Sequence, residues 1–94
     1  MNKTNKNITE EKNKIKTNQS IDRAFDILKA LAYETDGLSR TELSNKIILH
    51  TSTVYKMLQV LNNRNYIDKN ESNNRYSLGL GFVELARLRL KSLG

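Results

Sequence analysis

The sequence predicts a mainly α fold with a small β-hairpin: a winged helix-turn-helix with a three-helix core, a two-stranded wing and a C-terminal linker or dimerisation helix. Three observations carry this. Over residues 41–61, Leu43, Ile47, Leu49, Val54 and Met57 fall where two helices joined by a tight turn lock together, with the small Ser44 at their crossing. Residues 66–69 and 75–78 are β-prone runs joined by a polar Asn-Glu-Ser-Asn-Asn turn. Beyond them, a leucine-rich segment repeats at helical spacing. The chain divides accordingly into a basic tail without stable structure (1–19), the winged domain (20–79) and the last helix (80–94).

Taken in order, the tail holds Lys, Asn, Thr and Glu, with only Ile8 and Ile15 aliphatic after Met1, too little apolar surface to fold alone. Its five Lys and two Glu give +3, half of the net charge of +6. It reads either as an arm adding non-specific phosphate attraction or as an untidy terminus. Ser20 is a good N-cap, and Ile21, Phe25, Leu28, Leu31 and Ala32 recur at helical spacing, so a first helix runs to about Tyr33 as the floor of the core. Gly37 is free to take positive φ in the turn that follows, and Leu38 can pair briefly as a strand.

Ser39 with Glu42 is a capping box that starts the second helix at Arg40 and leaves its first amides facing outward. From Thr51 the third helix has two faces. Val54, Met57, Leu58 and Leu61 share one; Ser52, Tyr55, Lys56, Gln59 and Asn63 share the other. A polar stripe is usually only a solvated face. Here no Asp or Glu occurs between Thr51 and Ile67, whereas ordinary solvent faces mix both signs. Asn65 sits where a helix ends in a left-handed residue. On the wing, Lys69 and Arg75 should project near the tip, although Asp68 and Glu71 dilute the field. In the last helix Leu80, Phe82, Val83, Leu85, Ala86, Leu88 and Leu90 form more apolar surface than this core needs. It either packs on the first helix or forms a dimer seam or linker.

Ninety-four residues make one small domain, which buries roughly 60% of its unfolded surface and gains from dimerisation. An isoelectric point near 9.7 favours a polyanionic partner. There is no cysteine and only one histidine, His50, so a disulfide framework and a thiolate zinc site are excluded and no metal or cofactor is expected. No apolar run long enough to span a membrane and no signal-peptide core occurs, which fits a cytoplasmic, nucleoid-associated setting without membrane contact. No paired carboxylates, glycine-rich phosphate loop or activated nucleophile can be identified, so no enzyme activity is expected.

Several separate stretches together resemble one family. Ser20-Ile21-Asp22-Arg23-Ala24-Phe25-Asp26-Ile27-Leu28, Leu38-Ser39 with Glu42-Leu43, the run from Ser52 to Leu58, and Tyr76-Ser77-Leu78-Gly79 resemble the N-terminal winged-helix domain of IclR-type transcriptional regulators, in unbroken order from Ser20 to about Leu85. The resemblance implies a regulator that binds double-stranded operator DNA as a homodimer through its first and last helices. It implies that the helix bearing Thr51, Ser52, Thr53, Tyr55 and Lys56 enters the major groove, with the wing on the flanking backbone. A small-molecule effector is implied only if a C-terminal domain follows. Gln59 suits adenine, while Ser39, Arg40 and Thr41, with Lys69 and Arg75 on the wing, suit phosphate. Three features depart from the family pattern. Ile48 stands where the turn usually has Gly, so a differently shaped turn is expected; Leu49-His50-Thr51 replaces a Pro-containing approach to the helix; Lys56 replaces Arg and lacks its bidentate fork. A rival reading is a winged-helix interaction module that docks protein through the last helix and never meets DNA.

Overall fold

The computed structural model describes residues 18–94, so the tail expected over 1–19 lies, apart from its last two residues, outside the described residues. The elements are α1 (Gln19–Ala32), β1 (Leu38–Ser39), α2 (Arg40–Ile47), α3 (Thr51–Asn63), β2 (Ile67–Asn70), β3 (Arg75–Leu78) and α4 (Gly81–Leu93). The winged helix-turn-helix is present, and Leu38 pairs as a short strand as its sequence allows. The two-residue β1 joins the hairpin to give an antiparallel sheet of order β1-β3-β2, registering Leu38 with Tyr76 and Ile67 with Leu78.

The core is a single cluster of Ile27, Leu31, Leu38, Leu43, Val54, Leu58, Ile67 and Tyr76. Every element up to β3 contributes at least one of these residues, so the hairpin is welded to the helices rather than appended to them. Val54 and Leu58 are fully buried and Met57 and Leu61 pack at their margin, which is the inward face expected of α3. Ser44 closes the turn between α2 and α3. Its hydroxyl donates to the Leu49 carbonyl, and its own carbonyl accepts the Leu49 amide at 3.1 Å.

Three readings of the sequence need correction. Asn18, not Ser20, caps α1: its Oδ1 accepts the Ile21 amide at 3.2 Å, so the helix begins at Gln19. The face of α1 that enters the core is Ile27 and Leu31, while Ile21 and Phe25 remain 54% and 55% exposed. The turn after α2 keeps the left-handed conformation at Ile48 (φ 54°, ψ 65°) in spite of its β-branched side chain, which stands in solvent. None of the residues of the last helix is buried.

That last helix is held at its base. The Gly79 amide donates to the Tyr66 carbonyl and the Gly81 amide to the Asn65 carbonyl, both at 2.8 Å, and Phe82 meets the Tyr66 ring edge-on at 4.7 Å. Asn65 ends the turn of chain leaving α3 in the left-handed conformation (φ 69°), as its residue type suggests.

Candidate nucleic-acid interface

The outward face of α3 follows from its inward one. With Val54 and Leu58 committed to the core, the 3.6-residue period turns Ser52, Tyr55, Lys56, Gln59 and Asn63 to the outside, where all five are exposed. Thr51 opens the helix in an exposed position and Thr53 is half-buried at the margin. His50 occupies the N-cap position with no capping bond from its side chain, which leaves the α3 amides without a side-chain partner there.

The start of α2 lies beside this face. The capping box forms as its sequence requires: Ser39 Oγ accepts the Glu42 amide at 3.1 Å, and Glu42 Oε1 accepts the Ser39 amide at 2.9 Å. Those bonds place Arg40 and Thr41 in the exposed first turn of α2. The Arg40 guanidinium lies over the Tyr55 ring, 4.8 Å from its centroid, and Gln59 Nε2 donates to the Tyr55 hydroxyl at 3.1 Å. One tyrosine therefore carries an α2 cation on its face and an α3 amide on its hydroxyl.

The wing completes the surface. Lys69 pairs across the hairpin with Tyr76, and its ammonium lies 6.0 Å from that ring's centroid. Ser39, Arg40, Thr41, Tyr55 and Lys69 line one recess together with Asn74 and Tyr76. Tyr55, Lys56, Gln59 and Lys69 line the groove beside it, between α3 and the wing. Glu71 is the only carboxylate residue lining either hollow, so cations dominate them. The sequence reading omitted Asn74 and Tyr76. Asn74 takes a left-handed conformation (φ 57°) where the wing turns, for which the Asn73-Asn74 pair was the available signal.

Four of the predicted site residues line neither hollow: Thr51, Ser52, Thr53 and Arg75. Thr51 borders a separate depression with Ile48, Leu49 and His50. Arg75 does not project from the wing tip. It opens β3 opposite Ser39 of β1, donates to the Asp36 carbonyl at 3.1 Å and the Gly37 carbonyl at 2.9 Å, and pairs with Glu42 at 3.1 Å. Gly37 has φ 77°, and a Cβ there would stand 2.5 Å from the Tyr76 carbonyl oxygen, so the turn that feeds Arg75 its two carbonyls requires glycine.

No group of His, Cys, Asp and Glu suited to a metal ion occurs among the described residues, and no helix among them is long and apolar enough to cross a membrane. Three helices, a sheet-anchored wing and an outward helix face free of carboxylates define a winged helix-turn-helix of the nucleic-acid-binding class. The chain belongs to the IclR family: residues 20–71 match the IclR helix-turn-helix domain. It is similar to the HTH-type transcriptional regulator XynR of Escherichia coli (36% identical over 66 residues) and to KdgR of Dickeya chrysanthemi (34% over 74 residues), covering 70% and 79% of this chain. Those alignments take in 26% and 24% of the relatives, so the chain spans about a quarter of their length. Among solved structures it resembles Pseudomonas aeruginosa HmgR, at 31% identity and TM-score 0.68, over 80% of this chain and 32% of that one. An IclR regulator from Alicyclobacillus acidocaldarius shares the fold at 22% identity and TM-score 0.70, over 74% of this chain and 28% of that one.

Proposed function

We propose that this chain is the DNA-reading part of a transcriptional regulator that occupies operator DNA, with α3 in the major groove and the wing along the flanking backbone. The observation that carries it is the outward face of α3. Ser52, Tyr55, Lys56 and Gln59 form a stripe without carboxylates, bordered by Arg40 of α2 and Lys69 of the wing. Ser52, Thr53, Tyr55, Lys56 and Gln59 face base edges, while Ser39, Arg40, Thr41, Thr51 and Lys69 hold phosphates. Arg75 supports the wing from within. The protein acts without catalysis, in the cytoplasm, as do regulators of this kind.

Operator binding is by a homodimer, which α1 and α4 supply with apolar surface: Ile21, Phe25, Val83, Leu85, Leu88 and Leu90 are all exposed in the single chain. A small-molecule effector would bind a further domain, as the greater length of the related regulators suggests.

Fluorescence-anisotropy titration against a random duplex pool and against the upstream region of its own gene, at about 50 and 200 mM salt, tests the reading. Binding that weakens steeply with salt and is lost in a Ser52→Ala, Tyr55→Ala, Lys56→Ala variant is expected. A folded chain that binds no duplex at the lower salt would sink it.

A further inference from the structure

Tyr55 occupies a place that a simple list of contacts does not describe. Its ring lies under the Arg40 guanidinium (4.8 Å), its hydroxyl takes a bond from Gln59 (3.1 Å), and it is the residue of α3 that lines both the recess at the start of α2 and the groove along the wing. Arg40 has no salt bridge among the described residues, so the aromatic face is what restricts its long side chain. Gln59 has no other side-chain hydrogen bond there. Each neighbour is therefore oriented by the same phenol.

We infer that Tyr55 is a positioning residue that binds Arg40 and Gln59 into one reading unit: its ring aims the guanidinium at the DNA backbone and its hydroxyl sets the plane of the Gln59 amide. This rests on the DNA-binding reading above and deepens it. The chemistry divides the two halves of the side chain. A guanidinium held flat on a ring keeps its edge N–H groups free for a phosphate. An amide that gives one N–H to the phenol keeps its carbonyl oxygen and second N–H, the donor and acceptor pair that fits the N7 and N6 edge of adenine. The ring thus governs affinity for any duplex, and the hydroxyl governs choice among sequences. Gln59 becomes a reader that works only while Tyr55 holds it.

The test is a double-mutant cycle on the whole chain, read both in DNA binding and in thermal melting without DNA. Arg40→Ala should weaken binding to a random duplex and flatten its salt dependence. In a Tyr55→Ala background the further loss from Arg40→Ala should shrink by about two- to fivefold, the size of an exposed cation–π contact. Tyr55→Phe keeps the ring. It should preserve the coupling between the ring and Arg40, while the preference for a duplex selected from a random pool falls to the level of Gln59→Ala. Additive losses in the cycle, or an undiminished preference in Tyr55→Phe, overturn the proposal. The melting cycle separates it from the reading beneath it. Coupling between Arg40 and Tyr55 in a wild-type chain that binds no DNA overturns the DNA reading but not the pairing, whereas additive melting overturns the pairing itself.

Discussion

Arg75 Nη2 lies 3.1 Å from Glu42 Oε1, the same oxygen that accepts the Ser39 amide at 2.9 Å, so one carboxylate both caps α2 and receives the first side chain of β3. The wing is thereby fastened to the start of the helix-turn-helix. Arg75 adds its bonds to the Asp36 and Gly37 carbonyls, and the turn before β1 joins the same fastening.

This fastening depends on pH. The bond from the Ser39 amide does most to hold the Glu42 carboxyl below the ordinary glutamate range; desolvation opposes it in part, and the Arg75 charge adds a smaller lowering. A depressed carboxyl stabilises the fold when ionised; its contribution is complete above the ordinary glutamate value and is lost as pH falls through the lowered one. Wild-type melting temperature should therefore drop more steeply than that of Glu42→Gln on acidification through and below the glutamate range. Parallel curves would refute the link. Ser39→Ala, which breaks the other half of the box, should cost about 1 kcal/mol at neutral pH in denaturant titration.

Ile48→Gly should stabilise the chain. A left-handed β-branched residue is strained by roughly 1–2 kcal/mol, and this side chain is 88% exposed, so little burial is lost with it. The greater freedom of glycine in the unfolded chain takes back about 0.5–1 kcal/mol. A small rise in the urea midpoint at unchanged slope is the expected result, and a fall would mean that Ile48 packs against something in solution.

Leu58→Ala removes a fully buried side chain and should cost about 2–5 kcal/mol, enough to unfold much of so small a domain near body temperature. Ile21→Ser with Phe25→Ser should leave dilute-chain stability within about 0.5 kcal/mol, since both side chains are half-exposed. The same pair should weaken self-association in sedimentation velocity.

These contrasts indicate what the sequence could and could not disclose. The inward face of α3 was legible because Val54, Met57, Leu58 and Leu61 are its only apolar stripe of that width. The capping box and Asn65 were legible because both are local. In α1, by contrast, two apolar stripes share one helix, and periodicity does not say which of them meets the sheet; Ile27 and Leu31 do. Asn18 and Ser20 are both competent caps two residues apart, and only backbone geometry separates them. The inward turn of Arg75 depends on the pairing of β3 with β1, a contact across more than 35 residues that local pattern does not encode.

Gly79→Ala should cost on the order of 1–3 kcal/mol, because a Cβ there would stand 2.5 Å from the Asn65 carbonyl oxygen and backbone would have to give way. The loss should appear in thermal melting and should loosen the attachment of α4, seen as faster amide exchange at Gly81.

The carbonyl of Asn65, at the end of the chain leaving α3, also receives the amide of Gly81 at the foot of α4. α3 and α4 thus share a pivot two residues wide, Asn65 and Tyr66. In a dimer joined along α4, the separation of the two reading helices is fixed at that pivot, as the span of a pair of callipers is fixed at its rivet. A few degrees of tilt in α4 would move the paired α3 tips out of step with the turn of the double helix, so whatever grips the far end of α4 holds the setting of the instrument.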